Sequence, residues 1–152
     1  MQDISLKPIA FVENSRHTPT DDNWAPIHSV IRLADWVPEE SLENISLFSH
    51  LLIVYYFDKV VAEQVVFAGH PRGNQNYPKM GIFAQRKKDR PNQIGVCTVE
   101  LLAHEGRTLT VKYLDAIHGT PILDIKPVLR EFEPQGSIQQ PVWADDLMRN
   151  YW

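Results

Sequence analysis

The chain reads as mainly all-β, a barrel or sandwich of short strands closed by one terminal helix. Three observations lead there. Short apolar stretches rich in Val, Ile, Tyr and Phe recur along its 152 residues, and such residues favour strands. Eleven prolines are spread through the chain, which argues against long helices and for short, firmly punctuated elements. Only the last dozen residues carry a helical period.

Taken in order, Ile4–Val12 is expected to form the first strand, Thr18–Pro26 (TPTDDNWAP) a polar loop, and His28–Leu33 a second strand. Pro38 followed by EESLEN predicts a short helix, its acidic residues suiting the positive N-terminal end. Ser46–Phe57 ends in LLIVYYF, a run whose length and β-branched content predict a strand buried on both faces. Asp58–Asn76, with Gly69, Pro71 and Gly73, is expected to be a long loop with room for one helical turn, and Lys79–Ala84 a short strand. Val96–His104 and Arg107–Leu114 flank Glu105-Gly106 as a hairpin. In the second of these, Leu109, Val111 and Tyr113 alternate with Thr108, Thr110 and Lys112, the pattern of a half-buried strand. Thr120–Lys126 continues extended. Over Pro141–Trp152, Trp143, Leu147 and Tyr151 recur every four residues and predict one apolar helical stripe, covering an edge or reaching a partner.

Composition narrows the function. Apolar residues make up 43% and charged residues 22%, with a formal net charge of -4, so this is an ordinary globular domain whose contact with nucleic acid would need a local basic patch. The single cysteine, Cys97, excludes an intrachain disulfide and reads as a core residue rather than a nucleophile. Six histidines show neither HxxxH nor HxH spacing, so no metal is expected. The opening MQDISLKPIA lacks the apolar segment of a signal peptide, and the longest apolar run, Leu51–Phe57, is far below the ~20 residues of a membrane span. A cytoplasmic setting is expected. GxGxxG, GxxxxGK[ST] and GxSxG are absent, which removes support for a dinucleotide fold, a P-loop or a hydrolase elbow.

Two segments carry chemistry. Gly81–Gly95, GIFAQRKKDRPNQIG, sets Arg86, Lys87, Lys88 and Arg90 within five residues against Asp89 alone. Asn92 follows a backbone stiffened by Pro91, and glycines at both ends permit tight turns or close approach. This reads either as an anion or polar-ligand site with Arg86 and Arg90 as forks, or as a solvated basic loop. Leu114–Pro127, LDAIHGTPILDIKP, places Asp115, His118, Asp124 and Lys126 among apolar residues. Buried carboxylates are costly unless paired, and Asp124 and Lys126, two apart on one strand face, could equally form a structural ion pair. His50 reads as a strand residue used for packing or for a backbone hydrogen bond. Trp24 and Tyr77 could stack on RNA bases or simply pack.

Together GIFAQR–RPNQIG and LDAIHGTPILDIKP resemble the TsaA-like (TrmO) family, whose pattern is roughly GVFATR…RPN.IG followed by LD..DGTP.LDIKPY. FSH before Leu51 and FDK at Phe57–Lys59 are similar to the family's FSH and FHK, and KPIAFV shows a weaker likeness. The resemblance implies a single small β-barrel with short helices and a C-terminal helix, spanning residues 1–152 as one domain. It implies a homodimer and S-adenosylmethionine-dependent methylation of tRNA, at N6 of the threonylcarbamoyladenosine on the 3′ side of the anticodon. By position, it implies cofactor contacts from Asn23, Trp24, Asp58, Lys59, Arg86, Val96, Tyr113, Leu114 and Asp115, with Gly119 and Thr120 shaping the floor. Departures stand at Asp22-Asn23-Trp24 in place of PRQ, at Asp58, at His118 in place of Asp, and at Val128 in place of the Tyr of KPY.

Methyl transfer from a sulfonium is an in-line displacement in which positioning supplies much of the acceleration. A ureido-type nitrogen must also lose its proton, so a base helps, and Asp115, His118 and Asp124 are the candidates. Arg86 would hold the cofactor carboxylate or a phosphate, while Lys87, Lys88 and Arg90 would face the RNA backbone. Two other functions fit the same residues: a non-catalytic barrel binding S-adenosylmethionine or a nucleotide, and a methyltransferase with a different acceptor.

Overall fold

A computed structural model describes all residues, Met1–Trp152. Six antiparallel strands close into a barrel in the order β1 (Ala10–Glu13), β2 (His28–Leu33), β7 (Thr108–Lys112), β6 (Ile94–Glu105), β3 (His50–Tyr56) and β8 (Pro121–Pro127), with β8 returning to β1. Two further two-residue strands, β4 (Ala68–Gly69) and β5 (Met80–Gly81), pair outside it. Seven short 3-10 turns and one α-helix, α1 (Val142–Met148), complete the chain. Closure leaves no unpaired sheet edge in the barrel.

Alternation builds the core. Ala10, Val12, Ile31, Leu51, Ile53, Tyr55, Cys97, Val99, Leu109, Val111 and Ile122 all point inward and are buried, as a two-residue side-chain period requires of a wall with one wet side. Strand β3 corrects the expectation of burial on both faces: Leu51, Ile53 and Tyr55 are buried, whereas Leu52, Val54 and Tyr56 on the outer face are only half-buried. The barrel is one layer thick there, so the outer apolar side chains meet solvent.

Other boundaries moved for local reasons. The first strand begins at Ala10, not Ile4; Ile4 and Leu6 are exposed, and Pro8 offers no N–H to a ladder. The helix predicted after Pro38 is a 3-10 turn, Glu39–Leu42. Lys79–Ala84 divides into β5 and a 3-10 turn at Ile82–Ala84. The β6–β7 turn falls one residue later than predicted, with β6 running to Glu105 and Gly106 at φ +52°, and the β6–β7 register shifts at a bulge between Leu101 and Ala103. Tyr113 does not extend the alternation of β7: it turns into the left-handed region at φ +67°. Finally, α1 ends at Met148, so Tyr151 does not continue the stripe of Trp143 and Leu147. The helix covers no barrel edge; Trp143 packs on Tyr77, whose hydroxyl donates to Asp146 (2.5 Å).

Candidate functional site

The site forms at the end of the barrel where β3 finishes and β6 begins. Tyr55 lies opposite Gly95 in the β3–β6 ladder and points inward. Its ring passes so close to Gly95 that a Cβ there would stand 2.6 Å from Tyr55 Cζ and 2.9 Å from Phe57 Cζ. The Phe57 ring meets Tyr55 edge-on at 5.4 Å. From this packed position the Tyr55 hydroxyl donates to Asp115 Oδ1 (2.5 Å), and the Tyr151 hydroxyl donates to Asp115 Oδ2. One carboxylate is thus held between two phenols that arrive from β3 and from the segment after α1.

The left-handed turn at Tyr113 puts Asp115 there. Cys97, inward on β6, donates its thiol to Tyr113 O (2.9 Å), and Leu114 is fully buried in the core. One residue before Cys97, Val96 O accepts from Arg86 Nη2 (2.6 Å). Arg86, Val96, Tyr113 and Asp115, drawn from the two sequence segments, therefore stand on adjoining backbone. Arg86 is exposed, and the remainder of its guanidinium fork is open to an anion.

Electrostatics follow from burial. Desolvation, then the Asp115 charge, pushes Tyr55, Cys97 and Tyr151 above their ordinary values, so all three keep their protons and serve as donors. Groups raised in the folded state contribute stability that is complete below their unfolded values and is lost as pH climbs past them. The melting temperature should therefore hold to about pH 8.5, where an unfolded thiol begins to ionise, and fall further beyond about pH 10, where unfolded phenols do. A thermal melt series from pH 7 to 11 checks this; a flat series would contradict the assigned burial of these donors.

The other residues singled out in the sequence fall into distinct places. Gly119 (φ +83°) and buried Thr120 carry the chain back to β1: Gly119 N–H donates to Val12 O (2.7 Å) and Val12 N–H to Thr120 O (3.1 Å). His118 is exposed, its ring against His17 at 4.6 Å, and no hydrogen bond joins it to Asp115. Asp124 lies opposite Val54 on the outer face of the barrel wall, paired with Lys126 at 2.7 Å, the structural arrangement weighed in the sequence. Asp58 and Lys59 pair with each other (3.0 Å) just after β3. Trp24 is buried, with the Arg16 guanidinium 4.3 Å above its ring. Tyr77 is half-buried and packs on Trp143 of α1, so both aromatics make packing contacts.

In the basic segment the cations are not equivalent. Arg90 Nη1 donates to Gln85 O (2.8 Å) and Lys87 O (3.4 Å), bracing its own loop. Lys87 and Lys88 both pair with Asp89 (3.4 and 2.8 Å) and remain partly exposed. Three contributors carry no site signal in the sequence: Tyr55, Tyr151 and Gln93. The last sits at φ +51° and sends its amide to Phe57 O (3.1 Å) and Val60 O (2.5 Å), while Tyr56 donates to its Oε1 (3.1 Å). No group of three His, Cys, Asp or Glu side chains stands together as a metal site would require, and no helix is long and apolar enough to cross a membrane.

Comparison with known proteins bears on family and fold. Residues 10–133 match the family described as "tRNA-methyltransferase O N-terminal domain". The S-adenosyl-L-methionine-binding protein of Archaeoglobus fulgidus is 33% identical over 146 residues, covering 90% of this chain and 99% of that one. The human tRNA (adenine(37)-N6)-methyltransferase is 34% identical over 113 residues, 74% of this chain but 25% of that protein. The crystal structure of TrmO from Pseudomonas aeruginosa superposes with a TM-score of 0.74 at 22% identity, over 93% of this chain and 63% of that one. At that identity the likeness is one of fold, and the chain spans less than two thirds of the Pseudomonas protein.

Proposed function

The chain belongs to the tRNA-methyltransferase O N-terminal domain family, and from that premise we propose that it binds S-adenosylmethionine and methylates tRNA at an adenine N6, with threonylcarbamoyladenosine beside the anticodon as the acceptor. The observation that supports this most is the meeting of Arg86, Val96, Tyr113 and Asp115 at one end of the barrel. The relatives' names support the cofactor and the tRNA.

The residues present fit the cofactor. It carries a carboxylate, an ammonium, ribose hydroxyls and an adenine ring. Arg86 offers an exposed fork for the carboxylate, Asp115 keeps one unoccupied lone pair on each oxygen for a hydroxyl or ammonium, and exposed Val96 offers an apolar contact. When bound, the group supplies an electrophilic methyl on a sulfonium. The chain's own part is to fix the direction of approach, which is worth much of the rate in an in-line displacement, and to take up a proton from the acceptor nitrogen. Asp115 is the acid–base candidate this site favours, because it alone among Asp115, His118 and Asp124 adjoins Arg86 and Tyr113. His118→Ala and Asp124→Asn serve as comparison variants.

Lys87 and Lys88 are assigned to the RNA backbone. Asp89 offsets part of their charge, so the Lys87→Ala, Lys88→Ala double variant should weaken tRNA affinity and lower the salt slope of binding by about one to two. An unchanged slope in a filter-binding titration would remove them from the interface. Phe67 and Phe83, largely exposed at one end of the β4–β5 pair, give apolar surface for the homodimer that we also propose, in a cytoplasmic enzyme. Calorimetry with S-adenosylmethionine, followed by methyl transfer into tRNA with and without threonylcarbamoylation, tests the function. Binding without transfer to any RNA would favour the non-catalytic reading.

A further inference from the structure

After α1 the chain does not simply run off the surface. Asn23 N–H donates to Asn150 O and Trp24 N–H to Tyr151 O, both at 2.9 Å, so the segment Asn150–Trp152 lies along the first loop as a short ladder. That loop is itself clamped. Arg16 donates to Asp22 O (2.9 Å) and Asn23 O (3.0 Å) while covering the Trp24 ring, and Arg72 grips the Asp22 carboxylate with two nitrogens (2.8 and 3.2 Å). Tyr151 thus extends from a fixed backbone, and its hydroxyl reaches Asp115 Oδ2. Next to it, the Trp152 ring stands edge-on to Tyr151 at 5.0 Å and to Tyr113 at 5.5 Å.

Asn23 and Trp24 hold this segment through their main-chain N–H groups, and Asp22 beside them is fixed by Arg72. A carboxylate on a loop can rotate about its own side-chain bonds, and one hydroxyl on one oxygen does not stop that rotation. A second hydroxyl on the other oxygen, arriving from a different element, fixes the plane and aims the remaining lone pairs.

We propose that Tyr151 is a positioning residue of the methyl-donor site, holding the Asp115 carboxylate in the orientation that receives S-adenosylmethionine, with the Asp22–Trp24 loop as its support. This rests on the assignment of Asp115 to that site. Tyr151→Phe keeps the ring and the main-chain ladder and removes only the hydroxyl. In calorimetry the variant should bind S-adenosylmethionine about ten-fold more weakly, the scale of one hydrogen bond to a charged group. A melting temperature lowered with donor affinity unchanged would make Tyr151 merely structural and overturn the proposal. A measurement on the unaltered chain guards against a variant that fails to fold: the ring carbon bearing the Tyr151 hydroxyl and the Asp115 carboxyl carbon should shift together in NMR as S-adenosylmethionine is added. A shift in one without the other overturns the proposal too. Failure of the unaltered chain to bind S-adenosylmethionine overturns this inference together with the function it rests on, whereas binding that Tyr151→Phe leaves untouched overturns this inference alone.

Discussion

Asp115→Asn is expected to lower single-turnover methyl transfer by about 100-fold or more, the lower range for loss of a positioned base. The amide keeps the shape of the carboxylate. It removes the negative charge and replaces one of the two oxygens that accept from Tyr55 and Tyr151 with a donor. Should Asp115 only bind the donor, affinity would fall while the rate at saturation survived, so the separation of Kd from the transfer rate distinguishes the roles. The comparison variants sharpen this. Asp124→Asn loses an ion pair on the outer wall, and His118→Ala loses an exposed ring beside His17; neither should change the transfer rate more than about three-fold, in line with the modest energetics of exposed contacts. A hundred-fold loss in either, with Asp115→Asn near full activity, would move the base elsewhere.

Gly95→Ala should be the most damaging single change to stability among the glycines. The added methyl would stand 2.6 Å from Tyr55 Cζ and 2.9 Å from Phe57 Cζ. Neither ring can yield easily: Tyr55 is buried, tied to Asp115 at its far end and packed edge-on against Phe57. Overpacking of this kind costs about 1–3 kcal/mol, which for a chain of this size lowers the melting temperature by about 5 °C. Because displacement of Tyr55 also disturbs Asp115, donor affinity should fall with it. Gly81→Ala is the control: that residue has ordinary φ and nothing near its missing Cβ, so its melting temperature should stay within about 1 °C, as for an unstrained surface change. Equal effects at the two positions would refute the packing account.

The pairing of these glycines shows how far the chain could be read in advance. Gly81 and Gly95 looked equivalent as brackets, and only the ladder placing Gly95 opposite Tyr55 separates them. Strand β7 is legible because apolar and polar residues alternate along Thr108–Lys112, while β2 and β8 read as short extended stretches near prolines. The boundaries that moved, at Ile4 and at Glu105–Gly106, depend on which neighbour supplies the ladder, and that is set by closure of the barrel rather than by local pattern. Arg86 and Asp115 were found because their motifs carry unusual charge among apolar residues. Tyr55 sat unnoticed in LLIVYYF, where an inward tyrosine has the same pattern as an inward leucine. The spacing of Tyr151 fits a helical stripe, but the helix ends at Met148 and the segment after it pairs with Asn23 and Trp24 from the far end of the sequence. Gln93 carried no signal at all, since an amide holding the loop Phe57–Val60 has no periodicity to betray it.

The end of the barrel holding Arg86, Tyr113 and Asp115 is proposed to deliver a methyl group to tRNA. The most direct measurement is transfer of labelled methyl from S-adenosylmethionine into tRNA prepared with and without threonylcarbamoylation, followed by nucleoside analysis of the product. Label is expected on N6 of the threonylcarbamoylated adenine and none on the unmodified tRNA, with loss of both transfer and donor binding in Asp115→Ala. Tight binding of the donor with no label in either tRNA, or label undiminished by Asp115→Ala, would contradict it.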